Sequence, residues 1–351
     1  MTFESWYLEI LAVAAVSAFL LSMLVERAGV RLGLVDRPRQ GEIQQHAVPR
    51  TGGYGIVLAF WLAIGASFLV TPEDLERLPA DNVRLFGVFL GTLALLPLAA
   101  VDDARRLGPA PQLLGQIGAA VVPVLFGLRM EEVATPFGVV QVPDPIGAAL
   151  AVVWVVAMIN AINLLDTMDG LAAGVAAIAS VVLFIRTIWF GQASIAVLPL
   201  AAAGACLGFL PRNWHPSRLI MGSSGALILG YLLGVITLVG GAKIGTAFLV
   251  LAVPILDVAW VIYRRLSQGR SPFRGGDTEH LPHRLRALGV SDRRIALSVY
   301  SVSAAIGLAV LSMHTALPTV EKAYLAVAVV IGVLTALALL TRASRASGQR
   351  M

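Results

Sequence analysis

The amino-acid sequence predicts an all-α polytopic membrane protein with about eleven transmembrane helices. Of its 351 residues, 58% are hydrophobic and only 13% are charged, and the mean hydropathy is +0.82. Apolar runs of about 20 residues recur along the chain, which is the length an α-helix needs to cross a bilayer. No internal repeat and no long polar stretch is found, so residues 1–351 are interpreted as a single integral membrane domain.

The predicted spans follow one another with short polar connections. The first run is interpreted as a retained helix, because Met1 to Tyr7 contain Glu4 and no basic residue, unlike a cleavable signal. Residues 129–145 alternate weakly around Pro136 and Gly138 and predict a hairpin-like periplasmic loop. The eleven runs are residues 7–24, 54–70, 85–101, 113–127, 146–163, 171–190, 194–210, 219–238, 244–262, 295–313 and 323–340.

The distribution of basic residues predicts the orientation in the membrane. The long connections 25–53 and 263–294 lie on one side, and the connections of that side carry 20 of the 26 Lys and Arg residues. The positive-inside rule places this side in the cytoplasm, with the N-terminus outside and the C-terminus inside. The same rule accounts for the pI near 9.8, so no nucleic-acid partner is inferred.

The most informative polar stretch follows the fifth run. Asn160, Asn163, Asp166 and Asp169 are spaced three residues apart. On a straight α-helix this spacing puts the first and last side chains on opposite faces, so they converge only if the helix tightens or ends there. Gly170 suits a helix C-terminus in the left-handed conformation. The alternative is an ordinary polar cap, but four such side chains at a membrane edge favour a functional site.

A pair of carboxylates, Asp102 and Asp103, lies at the inner end of the third run. Adjacent carboxylates repel, and a pair beside hydrocarbon calls for a cation. Mg²⁺ suits them, since this ion takes one or two carboxylates and completes its coordination with phosphate oxygens and water. The alternative is that Arg105 and Arg106 neutralise the pair in a solvated loop.

Two further polar clusters are predicted on the same side. The segment from Asn213 to Gly225 contains Gly and Ser at a helix start, which suits either an anion such as phosphate or close helix packing. The stretch from Asp277 to Leu285 contains His280, His283 and Arg284, side chains that suit a diphosphate. Asp257, near the end of the ninth run, needs a partner, and a hydrogen bond between helices is the simplest one.

In this order, the clusters resemble those of the polyprenyl-phosphate N-acetylhexosamine-1-phosphate transferases, glycosyltransferase family 4. The family includes undecaprenyl-phosphate GlcNAc-1-phosphate transferases and, more distantly, phospho-MurNAc-pentapeptide translocase. The resemblance extends over about residues 30 to 290 and implies a bacterial inner-membrane bundle of ten or eleven helices with a cytoplasmic active-site cleft. Its motifs are Asp36-Arg-Pro with Pro49 to Gly53, Val101 to Asp103, Asn160 to Gly170, Met221-Gly222, and His280 to Leu285.

The resemblance implies a reaction and a set of site residues. A lipid phosphate would attack the β-phosphate of a UDP-sugar, giving a polyprenyl-diphosphate sugar and UMP for cell-envelope glycan synthesis. The implied cofactor is Mg²⁺, or Mn²⁺ in its place, and a homodimer is implied by the resemblance alone. The implied catalytic residues are Asp102, Asp103 (as a base), Asp166 and Asp169; the metal ligands are Asn163 and Asp169; the substrate-binding residues are Asn160, Arg50, His280, His283 and Arg284.

The sequence departs from the family at phosphate-handling positions. Ser223 stands where the family has a metal-ligand Asp, and Gln112 stands where it has a Lys. Residues 41–44 lack the basic run of the family, Arg106 replaces a frequent acidic residue, and Pro282 replaces a histidine. These changes leave a second hypothesis open, a catalytically impaired relative that binds lipid or serves as a scaffold. A transporter is less well supported, because transporter sites lie near the bilayer midplane and these carboxylates lie at helix ends.

Overall fold

The structure is a computed structural model that describes residues 4–36, 47–70, 79–135, 138–239, 244–270, 280–316, 327–336, 338–340 and 342. Most of these residues are helical. The helices are α1 Ser5–Leu32, α2 Gly52–Val70, α3 Pro79–Arg105, α4 Pro109–Leu125, α5 Asp144–Leu165, α6 Leu171–Trp189, α7 Ala193–Asn213, α8 Gly222–Leu238, α9 Ile244–Val250, α10 Ala252–Ser267, α11 Leu281–Ala287 and α12 Asp292–Ala316. A further apolar helix is Val327–Leu340.

The helices agree with a polytopic membrane protein, and each predicted apolar run falls on helix. Within the described residues, seven helices are long and apolar enough to cross a membrane, or eight if α9 and α10 form one span. The helices α4, α8 and Val327–Leu340 are apolar but shorter. The number eleven and the orientation of the termini therefore stay predictions.

The predicted single span 244–262 is wrong in one respect, because the structure divides it. Helices α9 and α10 are bent by 77° at the break between them. Pro254, in the first turn of α10, has no N–H, and its ring would clash with the carbonyl of Val250 in a continuous helix. Helix α9 ends at Val250. A proline in the sequence thus explains the bend.

The core of the bundle lies around α8. Every residue of α8 from Ser224 to Leu238 is buried, as expected for a helix that is apolar on all sides and surrounded by protein. Helices α2, α3 and α5 pack on α8, while α7 packs between α1 and α6. Helix α12 packs on α6.

Two short antiparallel pairs of strands connect the helices. The predicted hairpin in residues 129–145 is present, as β3 Glu132–Thr135 paired with β4 Gly138–Gln141. The other pair, β1 Val35–Asp36 with β2 Val48–Pro49, joins the end of α1 to the start of α2.

The polar clusters meet at one end of the bundle, which we call the polar end. Here α3 and α5 end, and α2, α6 and α8 begin. The predicted connections 25–53 and 263–294 are partly helical, since α1 extends to Leu32 and α11 lies within the second connection. Residues 41–44 and Asp277 lie outside the described residues.

Candidate functional site

Asp103 caps the N-terminus of α8. Its Oδ1 accepts the Ser223 N–H at 2.7 Å and its Oδ2 accepts the Ser224 N–H at 3.1 Å. The first N–H groups of a helix have no partner within the helix and carry partial positive charge, so a carboxylate is stabilised there. The anion predicted at this helix start is therefore present as a carboxylate of the protein itself.

Asp102 is buried beside Asp103 but has a different partner. Its Oδ1 accepts the Leu107 N–H at 2.7 Å, which closes the turn after α3. The alternative in which both neighbouring arginines neutralise the carboxylate pair is wrong for Arg106, whose guanidinium bonds to Asp36 at 2.8 Å. Backbone N–H groups thus donate hydrogen bonds to both carboxylates, and the charge of Arg50 also favours ionised Asp103.

Arg50 lies beside Asp103 with part of its guanidinium unused. Its Nη1 donates to the Asp103 carbonyl at 3.2 Å, and its Nη2 lies 3.9 Å from Asp36. The Nε of Arg50 is buried and has no hydrogen-bond partner within the described part of the chain. A buried N–H donor without a partner is costly, and a phosphate oxygen would satisfy it.

The residues after Arg50 dock α2 against the start of α8. The N–H groups of Gly52 and Gly53 donate to the carbonyls of Ile220 and Met221 at 3.0 and 2.8 Å. A Cβ at Gly53 would lie 2.0 Å from the Gly225 nitrogen, so two backbones touch where larger residues do not fit. This supports the close-packing interpretation of the glycines near Ser223.

The polar stretch from Asn160 to Asp169 is divided by the end of α5 at Leu165. Its two Asn residues lie within the helix, and its two Asp residues follow it. Asn160 lies within the helix, where its Nδ2 donates to Gln116 of α4 at 2.6 Å and to the Val156 carbonyl at 2.8 Å. The amide nitrogen of this predicted substrate-binding residue is therefore committed to helix packing. The side chain of Asn163 is half-buried. It neither donates nor accepts a hydrogen bond within the described part of the chain.

Asp166 follows directly after α5 and faces two other carboxylates. Removal from water, which is the largest cause, and the charges of Asp169 and Asp103 together raise the pKa of Asp166 to about 7. Like charges in a poorly solvated space disfavour ionisation unless a cation is present. Asp166 thus lies within electrostatic range of Asp103 and Asp169. The sequence predicted a convergence of Asn160, Asn163, Asp166 and Asp169, and the helix end that it requires is found at Leu165.

The turn that carries Asp169 is fixed by the neighbouring helices. Gly170 has φ 76° and begins α6 instead of ending α5, which corrects the predicted cap. Its N–H donates to Asn213 Oδ1 at 2.9 Å, and its carbonyl accepts the Tyr300 hydroxyl. Asp169 Oδ2 lies 2.9 Å from His215 Nδ1. The sequence reasoning assigned no role to His215, although it stands within the quoted Asn213 cluster.

Asp257 of α10 holds together the cluster that contains His280 and Arg284. Its carboxylate contacts His280 Nδ1 at 2.9 Å, accepts the Leu281 N–H at 3.0 Å and pairs with Arg284. Asp257, His280 and Arg284 are all buried, so this cluster fixes the start of α11. Asp257 was expected to bond to another helix, and it does so with the start of α11. His283 is half-buried on the same helix.

An apolar cavity separates the Asp257 cluster from the α5–α6 turn. Leu164 and Leu165 line it from one side, and Leu281 and Pro282 from the other. The Asp257 cluster and the α5–α6 turn are therefore neighbours on opposite sides of this cavity. Gln112 lies apart from both, half-buried in the first turn of α4.

The oxygen atoms near Asp166 fit a hard divalent cation. The described part of the chain holds no group of three or more His, Cys, Asp or Glu placed for a metal. Mg²⁺ does not need such a group, because it retains water and takes phosphate oxygens beside one or two carboxylates. Asp166, Asn163 and the second oxygen of Asp169 supply oxygen donors of this kind. Ser223 supplies only a neutral hydroxyl.

Comparison with known proteins gives one consistent result. Residues 85–241 match the glycosyl transferase family 4 profile. The chain is 29% identical to a probable undecaprenyl-phosphate N-acetylglucosaminyl 1-phosphate transferase of Bacillus subtilis, over 83% of this chain and 80% of the relative. It is 30% identical to a decaprenyl-phosphate N-acetylglucosaminephosphotransferase of Mycolicibacterium smegmatis, over 82% and 77%. A Salmonella typhimurium undecaprenyl-phosphate α-N-acetylglucosaminyl 1-phosphate transferase is 27% identical over 81% and 77%.

Proposed function

The chain belongs to glycosyl transferase family 4, and on that premise we propose that it transfers N-acetylhexosamine 1-phosphate from a UDP-sugar to polyprenyl phosphate. The similarity over more than four fifths of the chain to relatives named for this reaction type carries the proposal. The impaired-relative hypothesis is not favoured, because these relatives are named as transferases.

The proposed reaction exchanges one phosphoanhydride bond for another. An oxygen of the lipid phosphate bonds to the β-phosphorus of the UDP-sugar, and the bond from that phosphorus to the α-phosphate oxygen breaks. UMP leaves, and the lipid becomes a diphosphate that carries the sugar. The attacking oxygen is already anionic at neutral pH, so catalysis requires positioning and charge neutralisation more than a strong base.

The polar end supplies positive charge for these phosphates. Helices α2, α6 and α8 begin there, and helix N-termini attract anions. Asp103 uses two N–H groups of α8, which fixes that helix start against α3. The free Nε of Arg50 would donate to a phosphate oxygen beside Asp103. Arg50 would then bind the substrate, in agreement with the sequence-based prediction.

The proposed cofactor is Mg²⁺, which when bound would neutralise phosphate charge and polarise the reacting phosphoryl group. Asp166, Asn163 and Asp169 are the residues that would hold it. Their oxygen donors suit Mg²⁺ and leave room for phosphate and water. The hydroxyl of Ser223 adds no charge, so the protein contributes fewer carboxylates to this cation than the resemblance implies.

The proposed setting is a bacterial cell membrane, with the polar end facing the cytoplasm. The supporting observation is the basic-residue asymmetry, in which one set of connections carries 20 of 26 Lys and Arg residues. A cytoplasmic site would meet a nucleotide-activated sugar, and the lipid-linked product would serve cell-envelope glycan synthesis. The family resemblance also suggests a homodimer.

The proposal is tested with purified protein, undecaprenyl phosphate and a panel of labelled UDP-amino sugars, with Mg²⁺ or Mn²⁺. We expect transfer by the wild type and a fall of about a hundredfold or more for Asp166→Asn, the size of loss seen when one electrostatic contact to the reacting group is removed. Asp144→Asn is the matched control, since Asp144 is an exposed carboxylate of α5 paired with Arg129. No transfer by the wild type with any donor would refute the proposal.

A further inference from the structure

His215 lies in the loop between α7 and α8, where its imidazole reaches the turn before α6. Its Nδ1 is 2.9 Å from Asp169 Oδ2, and both side chains are about a quarter exposed, at 28% and 23%. An ionised carboxylate can only accept hydrogen bonds. The proton of this contact is therefore on Nδ1, and the imidazole donates to Asp169.

The same carboxylate oxygen has a second donor from this loop. The backbone N–H of Ser217 donates to Asp169 Oδ2 at 3.1 Å. The other oxygen, Oδ1, accepts no hydrogen bond from the described residues. Two donors thus fix one face of the carboxylate and leave the other face free at the site.

The loop that carries His215 is itself held from α12. The backbone carbonyl of His215 accepts the Arg293 Nε at 3.2 Å, and Asp292 lies 3.9 Å from Nδ1. Arg286 holds Asp292 with two hydrogen bonds, at 3.0 and 2.7 Å. Helix α12 and the end of α11 therefore brace the loop that orients Asp169, and they lie outside the segment that matches the family profile.

We propose that His215 is a positioning residue that holds Asp169 in one orientation for phosphosugar transfer. The proposal rests on the proposed function and adds a residue to its site. Orientation of a reacting or metal-holding carboxylate by a neighbouring donor commonly changes activity by about tenfold to a hundredfold. The contribution is in the geometry of Asp169, so kcat should change more than KM for the sugar nucleotide.

Three substitutions separate positioning from other roles. An Asn side chain places an N–H donor close to the Nδ1 position, whereas Gln places its donor near Nε2. We expect His215→Ala and His215→Gln to lower kcat by about tenfold to a hundredfold, and His215→Asn to recover most of the activity. Ser301→Ala is the control, because Ser301 is an exposed residue of α12 whose hydroxyl donates to the Leu297 carbonyl of its own helix. It should retain wild-type kcat.

A second readout does not depend on activity or metal. The melting temperatures of wild type, His215→Ala, Asp169→Ala and the double variant are measured in detergent with EDTA. If the two side chains interact, the double variant loses less than the sum of the single losses. This cycle tests His215 even if the wild type shows no transfer, so failure of the function and failure of the inference are distinguishable.

Two results would overturn the inference. One is fully additive melting-temperature losses in the cycle, which would mean that the two side chains do not interact. The other is equal activity loss in His215→Ala and His215→Asn, which would assign the role to Nε2 or to packing instead of the bond to Asp169.

Discussion

Gly53→Ala tests the contact on which the start of α8 depends. A Cβ at this position would lie 2.0 Å from the Gly225 nitrogen and 2.2 Å from its Cα. An ordinary contact begins at 3.4 Å, so the two backbones have to separate by about 1.4 Å, the difference from 2.0 Å. These neighbouring atoms are backbone and cannot rotate away as a flexible side chain would.

Two terms of opposite sign decide the size of the effect. Overpacking in a well-packed interior costs about 1–3 kcal/mol. Ala in place of Gly within a helix returns about 0.5–1 kcal/mol. Overpacking dominates because the neighbour is rigid, so we expect a net loss of about 1–2 kcal/mol in the free energy of unfolding. A displacement of about 1 Å near reacting groups can also lower the rate about a hundredfold, so transfer should fall as well.

Thermal unfolding in detergent measures the stability term, and the transfer assay measures the catalytic one. Gly65→Ala is the matched control, since Gly65 lies on the same helix and a Cβ there meets nothing within 4 Å. The control should be as stable as wild type or more so. If Gly53→Ala is as stable and as active as Gly65→Ala, then α2 and α8 do not pack in the way described.

Three other substitutions address separate parts of the polar end. Asp257→Asn should cost about 3–5 kcal/mol, because it removes the charge that pairs a buried arginine, and thermal unfolding would show it; an unchanged melting temperature would contradict the buried cluster. Ser223→Asp adds a carboxylate beside Asp103, so the melting temperature should fall in EDTA and recover with Mg²⁺; equal stability in both solutions would speak against a metal there. Tyr300→Phe removes a hydrogen bond to Gly170 and should cost about 1 kcal/mol without a change in KM, and a large change in KM would imply substrate contact instead.

Hydropathy predicted the apolar helices, but it predicted neither the short helix α11 nor how the helices pack. Helices α1 and α7 are both apolar, yet protein buries 22% of the most apolar segment of α1 and 78% of that of α7. Lipid tails and protein interiors are similarly apolar, so the sequence pattern does not distinguish a helix that faces lipid from one that faces protein. The proline alone would not have predicted the bend at Pro254, because Pro199 lies inside the continuous helix α7.

The residue types at the candidate site were predictable, but their partners were not. Asp103 and Ser223 are 120 residues apart in the chain, and no local pattern connects them. The resemblance implied substrate binding for Asn160, and only the fold reveals that its amide nitrogen donates to Gln116 of another helix. A single histidine such as His215 gave little signal, since only the fold brings it to Asp169.

The central claim is transfer of a sugar together with its phosphate. The most direct measurement uses UDP-N-acetylglucosamine labelled at the β-phosphate, with undecaprenyl phosphate and Mg²⁺, and follows the label into the lipid extract. We expect the β-phosphate to enter the lipid and UMP to be released in equal amount. Label that remains in aqueous UDP while the sugar enters the lipid, or label that never leaves the donor, would contradict it.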